Sequence, residues 1–286
     1  MADTTSQPFP LVVPRPGGDV IIRQFLPKDA DQLHALLVEG VVYGREFARI
    51  RSPFPELITT ILKRNRLATW RSGGISSAVF RSSRTVGGAL GLGSYVWSTN
   101  PAVRMAGGAL ALCATALFAY RRHSITKMFV HFCATARATD MADIPRTYEV
   151  PVSEDGTKPQ SQPQGPSAFW VAVIESPDYN TSEIVGYLGL DYHANSDPST
   201  AELRRLTVSA RHRRRKIASL LMSAALAHAR LYRPLLTTLE LETSEFQPGA
   251  RRLYENLGFS LVGSRIMRIG PLFAMTVIRL RRNILD

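Results

Sequence analysis

The run Leu206-Thr207-Val208-Ser209-Ala210-Arg211-His212-Arg213-Arg214-Arg215-Lys216-Ile217-Ala218 decides how this chain is read. Leu203, Leu206 and Val208 mark a strand that ends at Ser209, and from Ile217 to Leu231 apolar residues recur at helical spacing through Leu220, Leu221, Ala224, Ala225 and Leu226. Strand end, basic turn and helix start therefore fall close together. A helix N-terminus presents unpaired N–H groups and positive potential, which suits a pyrophosphate, and guanidinium groups add charge-assisted bonds to phosphate oxygens. The same Arg213-Arg214-Arg215-Lys216 run also reads as a solvated basic turn or as a nucleic-acid contact. No aromatic interleaving or recognition module accompanies it, which disfavours nucleic acid.

Downstream, residues 237–242 alternate like a strand, 247–256 form a helix that Gly258 ends, and 259–262 and 273–280 supply two last strands. Upstream, the apolar runs 168–174 and 184–190 flank the turn Pro177-Asp178-Tyr179-Asn180 and predict an antiparallel hairpin, with a loop over 193–200 after it. Residues 151–166 are a polar, mobile loop, and 123–147 are helical. Near the start, 19–25 read as a strand, Pro27-Lys28-Asp29 opens a helix carrying Ala30, Leu33, Leu36 and Leu37 on one face, and 54–67 form another helix.

Between residues 70 and 122 the character changes. Residues 86–97 are apolar and Gly-rich, Ser98-Thr99-Asn100-Pro101 signals a turn, and 105–120 are apolar without a charge. Arg81 and Arg84 precede the first arm, and Arg121, Arg122 and Lys127 follow the second. A spanning helix needs about 20 apolar residues, so two shorter arms around a polar turn suggest a re-entrant membrane hairpin with both basic ends cytosolic. A buried soluble hairpin is the other reading. The formal charge of +12 on 286 residues calls for an anionic partner: nucleic acid, anionic lipid or a phosphate-bearing cofactor. The only cysteines, Cys113 and Cys133, argue against a disulfide framework and for a reducing compartment, and residues 1–18 do not read as a secretory signal. No cysteine and histidine spacing suggests a metal, and no Ser/His/Asp pattern suggests hydrolysis.

Over residues 168–263 the chain resembles the GNAT acetyltransferases. Their acetyl-CoA motif runs as Val, a few residues, then Arg-Gly-x-Gly-Ile-Gly/Ala, and here Val208 and Arg213 to Ala218 occupy that frame. Their next region, Asn-x-x-Ala-x-x-Leu-Tyr-x-x-x-Gly-Phe, is matched by Gln247-Pro248-Gly249-Ala250-Arg251-Arg252-Leu253-Tyr254-Glu255-Asn256-Leu257-Gly258-Phe259. Thr139-Asp140-Met141-Ala142-Asp143-Ile144 and Phe169-Trp170-Val171-Ala172 extend the likeness to the membrane-bound Camello-like branch. The resemblance implies a mixed, mainly antiparallel central sheet flanked by helices, with an apolar helical hairpin inserted. It divides the chain into a flexible lead (1–18), the domain's first part (19–69), the insertion (70–122) and the remainder with the acetyl-CoA site (123–286).

It also implies acetyl transfer from acetyl-CoA to a primary amine on a small amino-acid-like molecule or a protein lysine, at an endoplasmic reticulum membrane with the catalytic domain cytosolic. Leu206, Val208, Arg213, Arg214, Arg215, Lys216, Ile217, Ala218 and Gln247 would hold the cofactor, and Tyr254 would protonate the leaving thiolate. Glu202 is the expected base, with His193 and His212 as alternatives, and Arg23, Arg45 and Arg51 could contact an acceptor carboxylate. Arg214 and Lys216 stand where the family has glycine, which lets the backbone approach phosphate. The rival expectation is therefore a non-catalytic membrane scaffold of the same fold.

Overall fold

The computed structural model describes residues 10–14, 19–42, 94–95, 98–151, 165–175 and 182–284. Among them are eight strands: β1 Leu11–Val13, β2 Val20–Gln24, β3 Ala168–Glu175, β4 Ser182–Asp191, β5 Thr200–Val208, β6 Thr238–Ser244, β7 Ser260–Arg268 and β8 Ala274–Asn283. They form one sheet in the order β1-β2-β3-β4-β5-β6-β8-β7, antiparallel throughout except where β5 meets β6. The helices are α1 Ala30–Val42, α2 Pro101–Ala138, α3 Ile144–Thr147, α4 Ile217–Leu231 and α5 Pro248–Asn256. This is the mixed, mainly antiparallel sheet with flanking helices that the sequence predicts. The chain divides into two compact units, one of residues 1–45, 129–268 and 274–286, the other of 46–128 with 269–273.

In the first unit, β3 is buried along its length up to the exposed Glu175, so it must be covered on both faces. Trp170, Ala172 and Ile174 join Val20, Ile22, Leu188 and Leu190 in a core closed by Leu221, Ala225 and Ala229 of α4. The alternate residue Phe169 stacks among Phe25, Tyr148 and Tyr187, at ring distances of 5.9, 5.0 and 5.8 Å. Helix α1 lies over β4 and β5. Gly189 of β4 is required here, because a Cβ would come within 2.5 Å of the Tyr148 ring.

The α4-side core contains polar groups without hydrogen-bond partners among the described residues: both side-chain termini of Gln24, the Trp170 indole N–H and His228 Nε2. Gln24 faces Trp170 across β2 and β3, and the Trp170 ring meets His228 at 5.4 Å. Burial pushes the His228 pKa down to about 4, against the pull of the Pro166 and Gly165 carbonyls. The neutral imidazole is thus favoured in the fold, while the unfolded chain protonates it near pH 6.5. Its contribution is complete above about pH 6.5 and is lost as the pH falls toward 4, amounting to about 3 kcal/mol. Thermal melts should show this loss in the native chain and a flatter profile for His228→Phe.

In the second unit, Ser94 and Tyr95 are helical and Ser98-Thr99-Asn100 turns the chain into α2, where Asn100 Oδ1 accepts from the Ala102 N–H at 2.9 Å. Tyr95 returns along the first turns of α2: its ring sits 5.4 Å from the Arg104 guanidinium, and a Cβ on Gly108 would lie 3.4 Å from it. The predicted turn is therefore present. The helix that carries the apolar run 105–120 does not stop at Arg121-Arg122; it runs 38 residues, Pro101–Ala138, with no Gly or Pro after Gly108 to break it. Beyond the boundary α2 becomes an ordinary core helix, burying Phe129, Cys133 and Ala136. The predicted helix at 54–67, the first apolar arm apart from Ser94 and Tyr95, and most of the polar loop at 151–166 lie outside the described residues.

Three strands differ from expectation. Leu11–Val13 pairs with β2, although three residues beside prolines and glycines carry little periodic signal. β7 and β8 run longer than predicted because their arginines hide the alternation. Arg265 and Arg279 pair with Glu242 at 2.9 and 3.2 Å, and Arg281 with Glu240, so these charged residues stay within the sheet.

Candidate active site

Strands β5 and β6 run side by side only briefly. Thr200, Ala201 and Glu202 face Thr238, Leu239 and Glu240, and there the pairing ends. β6 continues against β8 to Ser244, while β5 continues against β4 to Val208. A fork opens between them, leaving the β6-side edge of Leu206 and Val208 without a strand partner among the described residues. Such an edge offers amides and carbonyls that an extended amide-bearing ligand can pair with.

The divergence has a local cause. The β4–β5 register shifts after Tyr187, and Arg205, at φ 64°, adopts a left-handed conformation. A bulge of this kind bends a strand, and the conformation costs a non-glycine residue about 1 kcal/mol. Asp140 holds it in place: Arg205 Nε donates to Oδ2 at 2.8 Å and Nη2 to Oδ1 at 2.6 Å, with the guanidinium 4.9 Å from the Phe132 ring. The Tyr148 hydroxyl donates to the same carboxylate at 2.8 Å. Burial works to raise the Asp140 pKa, but the bonds and charge of Arg205 and the bond from Tyr148 outweigh it, and the pKa falls below the usual value. Sequence reasoning quoted Asp140 within its motif without giving it a role, and did not single out Arg205.

Past the fork, Ser209 caps a short 3-10 turn and Glu39 of α1 accepts from Ser209 Oγ at 3.0 Å and the Ala210 N–H at 3.1 Å. Arg213 directs its guanidinium back to the Val208 and Gly40 carbonyls at 3.4 and 3.3 Å, bracing the loop against α1. Arg215 contacts His212 Nδ1 at 3.1 Å, while Arg214 and Lys216 are exposed. Both of these sit at positive φ, 69° and 61°. The loop thus keeps the backbone conformation that glycine would supply and places cationic side chains on it. Lys216 is the N-cap of α4 and makes no side-chain cap, so among the described residues the first-turn N–H groups at Ile217 and Ala218 are left for solvent or an anion. Lys216→Gly should raise the stability of the ligand-free protein by up to about 1 kcal/mol, the strain relieved less the entropy glycine loses, whereas Lys216→Val should lower it. Chemical denaturation of both variants measures the difference.

Glu202 lies at the vertex of the fork, its side chain 30% exposed. Burial raises its pKa, Arg204 at 3.8 Å opposes this, and Glu242 and Asp191 add to the rise. A carboxylate so placed is a stronger base than one in water. Tyr254 on α5 is 8% exposed, with its ring edge-on to Phe259 at 6.1 Å, and burial raises its pKa. Gln247 is the N-cap of α5, and its Oε1 accepts from Thr243 Oγ1 at 3.1 Å, tying the helix to the end of β6. The alternatives lie elsewhere: His193 pairs with Glu149 at 2.9 Å, His212 approaches Glu183 at 3.5 Å, and Arg23 is engaged by Asp29 at 2.6 Å. Arg45 and Arg51 lie outside the described residues.

A mixed sheet forked beside a basic strand-to-helix loop, with a buried tyrosine on the next helix, suits an extended, amide-bearing ligand with an anionic end. Residues 138–259 match the acetyltransferase (GNAT) family, and the chain carries a GNAT domain. It is similar to N-acetylaspartate synthetase of Mus musculus, 31% identical over 148 residues, covering 52% of this chain and 42% of that protein. It is similar also to N-acetyltransferase 8F1 of Rattus norvegicus, 32% identical over 139 residues, covering 48% and 52%. The chain spans about half the length of the curated relatives it matches. A solved GNAT acetyltransferase from Streptococcus pneumoniae aligns over 92% of this chain and 98% of its own, at 13% identity and a TM-score of 0.42.

Proposed function

We propose that the chain is an N-acetyltransferase that moves an acetyl group from acetyl-CoA to a primary amine. The observation that carries this is the fork: a free strand edge at Leu206 and Val208 that leads directly into an uncapped helix N-terminus ringed by Arg214, Arg215 and Lys216. The strand edge would pair with the pantetheine amides, and the loop N–H groups and cations would hold the pyrophosphate. The thioester supplies the activated acetyl group. The N–H groups near Val208 polarise its carbonyl, and Glu202 takes a proton from the incoming ammonium, directly or through water. Tyr254, kept protonated by its burial, donates to the leaving sulfur, and the proton that passes there is replaced from the amine nitrogen as the amide forms.

The name of the N-acetylaspartate synthetase relative favours an amino-acid-like acceptor over a protein lysine. Helix α2, mean hydropathy 1.6 over its most apolar window with 6% of it buried, supports membrane attachment. The basic run that follows Tyr120 fits a cytosolic face, and the Camello-like resemblance an endoplasmic reticulum location. The scaffold alternative rests on the two missing glycines, and the positive φ at Arg214 and Lys216 weighs against it.

Titration calorimetry of acetyl-CoA into the solubilised protein tests the reading. Micromolar binding that weakens on Arg214→Ala/Lys216→Ala is the expected result, to be followed by a screen of amines. Absence of binding would leave the scaffold.

A further inference from the structure

Residues 269–273, Ile-Gly-Pro-Leu-Phe, join β7 to β8 and hold no polar side chain. Turns facing water favour Asn, Asp and Ser beside Gly and Pro. The Ile269 N–H donates to the Phe273 carbonyl at 2.8 Å, and Gly270, at φ 111°, lets the chain reverse. Ile269 and Phe273 are buried, but Leu272 is 61% exposed. Phe273 packs on Tyr120 of α2 with ring centroids 5.7 Å apart, and a Cβ on Gly270 would lie 3.5 Å from the Tyr120 hydroxyl.

The level at which the tip meets α2 gives it meaning. Tyr120 closes the apolar run, and Arg121 and Arg122 follow at once. Above it the helix turns apolar side chains outward, with Met105 77%, Leu110 47% and Leu112 73% exposed. From Pro101 to Tyr120 the helix rises about 30 Å, the thickness of a bilayer's hydrocarbon core. A tyrosine followed by arginines is the pattern expected where acyl chains give way to headgroups, and the cations at Arg121, Arg122 and Lys127 complement anionic lipid.

We propose that the 269–273 tip is a second membrane-contacting element, lying at headgroup depth beside Tyr120 and inserting Leu272 among the upper acyl carbons. The inference rests on the membrane reading of α2. It gives the β7–β8 hairpin its own attachment to the bilayer.

Environment-sensitive fluorophores on the full chain in phosphatidylcholine–phosphatidylserine vesicles test it. One probe goes on native Cys113, exposed in the apolar run of α2. A second goes on Leu272→Cys in a Cys113→Ser background, and a third on Leu235→Cys, 48% exposed in the first unit. The expected result is loss of emission at position 272 with lipids brominated near the headgroup, loss at position 113 with lipids brominated deeper, and none at 235. Quenching at 113 without quenching at 272 would overturn the tip and leave the membrane helix standing. Quenching at neither would overturn the membrane reading itself.

Discussion

Tyr254→Phe is expected to lower the turnover of acetyl transfer by about a hundredfold, the cost of removing one donor from a site where negative charge develops. Folding and acetyl-CoA binding should survive, because the ring stays in its place against Phe259 and only the hydroxyl is lost. Burial raises the Tyr254 pKa, so the hydroxyl stays protonated across the accessible range and should impose no alkaline limb, and native and variant profiles should run parallel at different heights. Steady-state kinetics across pH measures this, and an alkaline limb present in the native protein and lost in the variant would show that burial does not hold the hydroxyl protonated.

Asp140→Ala should be the most destabilising single change near the fork. It strips the partner from Arg205, whose side chain is 10% exposed, and leaves a buried cation unpaired at a cost of about 3–5 kcal/mol. It also removes the acceptor for the Tyr148 hydroxyl and frees the bulge that bends β5 away from β6. A rise in the KM for acetyl-CoA should accompany the loss of stability. Removing the cation as well, in Asp140→Ala/Arg205→Leu, should recover part of the stability without restoring the KM. The native pair carries an acid signature. The Asp140 pKa is depressed in the fold, so its contribution is complete above the unfolded value near 4 and is lost as the pH falls through the lower folded value. Denaturant melts of the three proteins from pH 7 to pH 3 provide the comparison. If Asp140→Ala were as stable as the native chain, Asp140 would not be the group that holds Arg205.

Much of this molecule is local, and the sequence reads it well. Apolar residues at helical spacing placed α4 at its observed limits, Ile217–Leu231, and two continuous apolar runs around a polar turn placed β3 against β4. Gly258, at φ 81° after α5, ends that helix as its position promises. The strand, basic loop, helix and Leu-Gly-Phe order could be read locally, and the family resemblance it carries is what implied the fold class.

The tertiary structure alone decided where the site opens. That β5 and β6 pair over three residues and then part is set by a bulge at Arg205, and the bulge is held by Asp140, 65 residues earlier in the chain. No periodicity relates the two, and each by itself looks like a solvated charge. The same holds for β8, which lies between β6 and β7 so that Arg279 and Arg281 meet Glu242 and Glu240. Sequence patterns record which face a residue occupies; which distant charge shares that face is fixed only when the strands assemble.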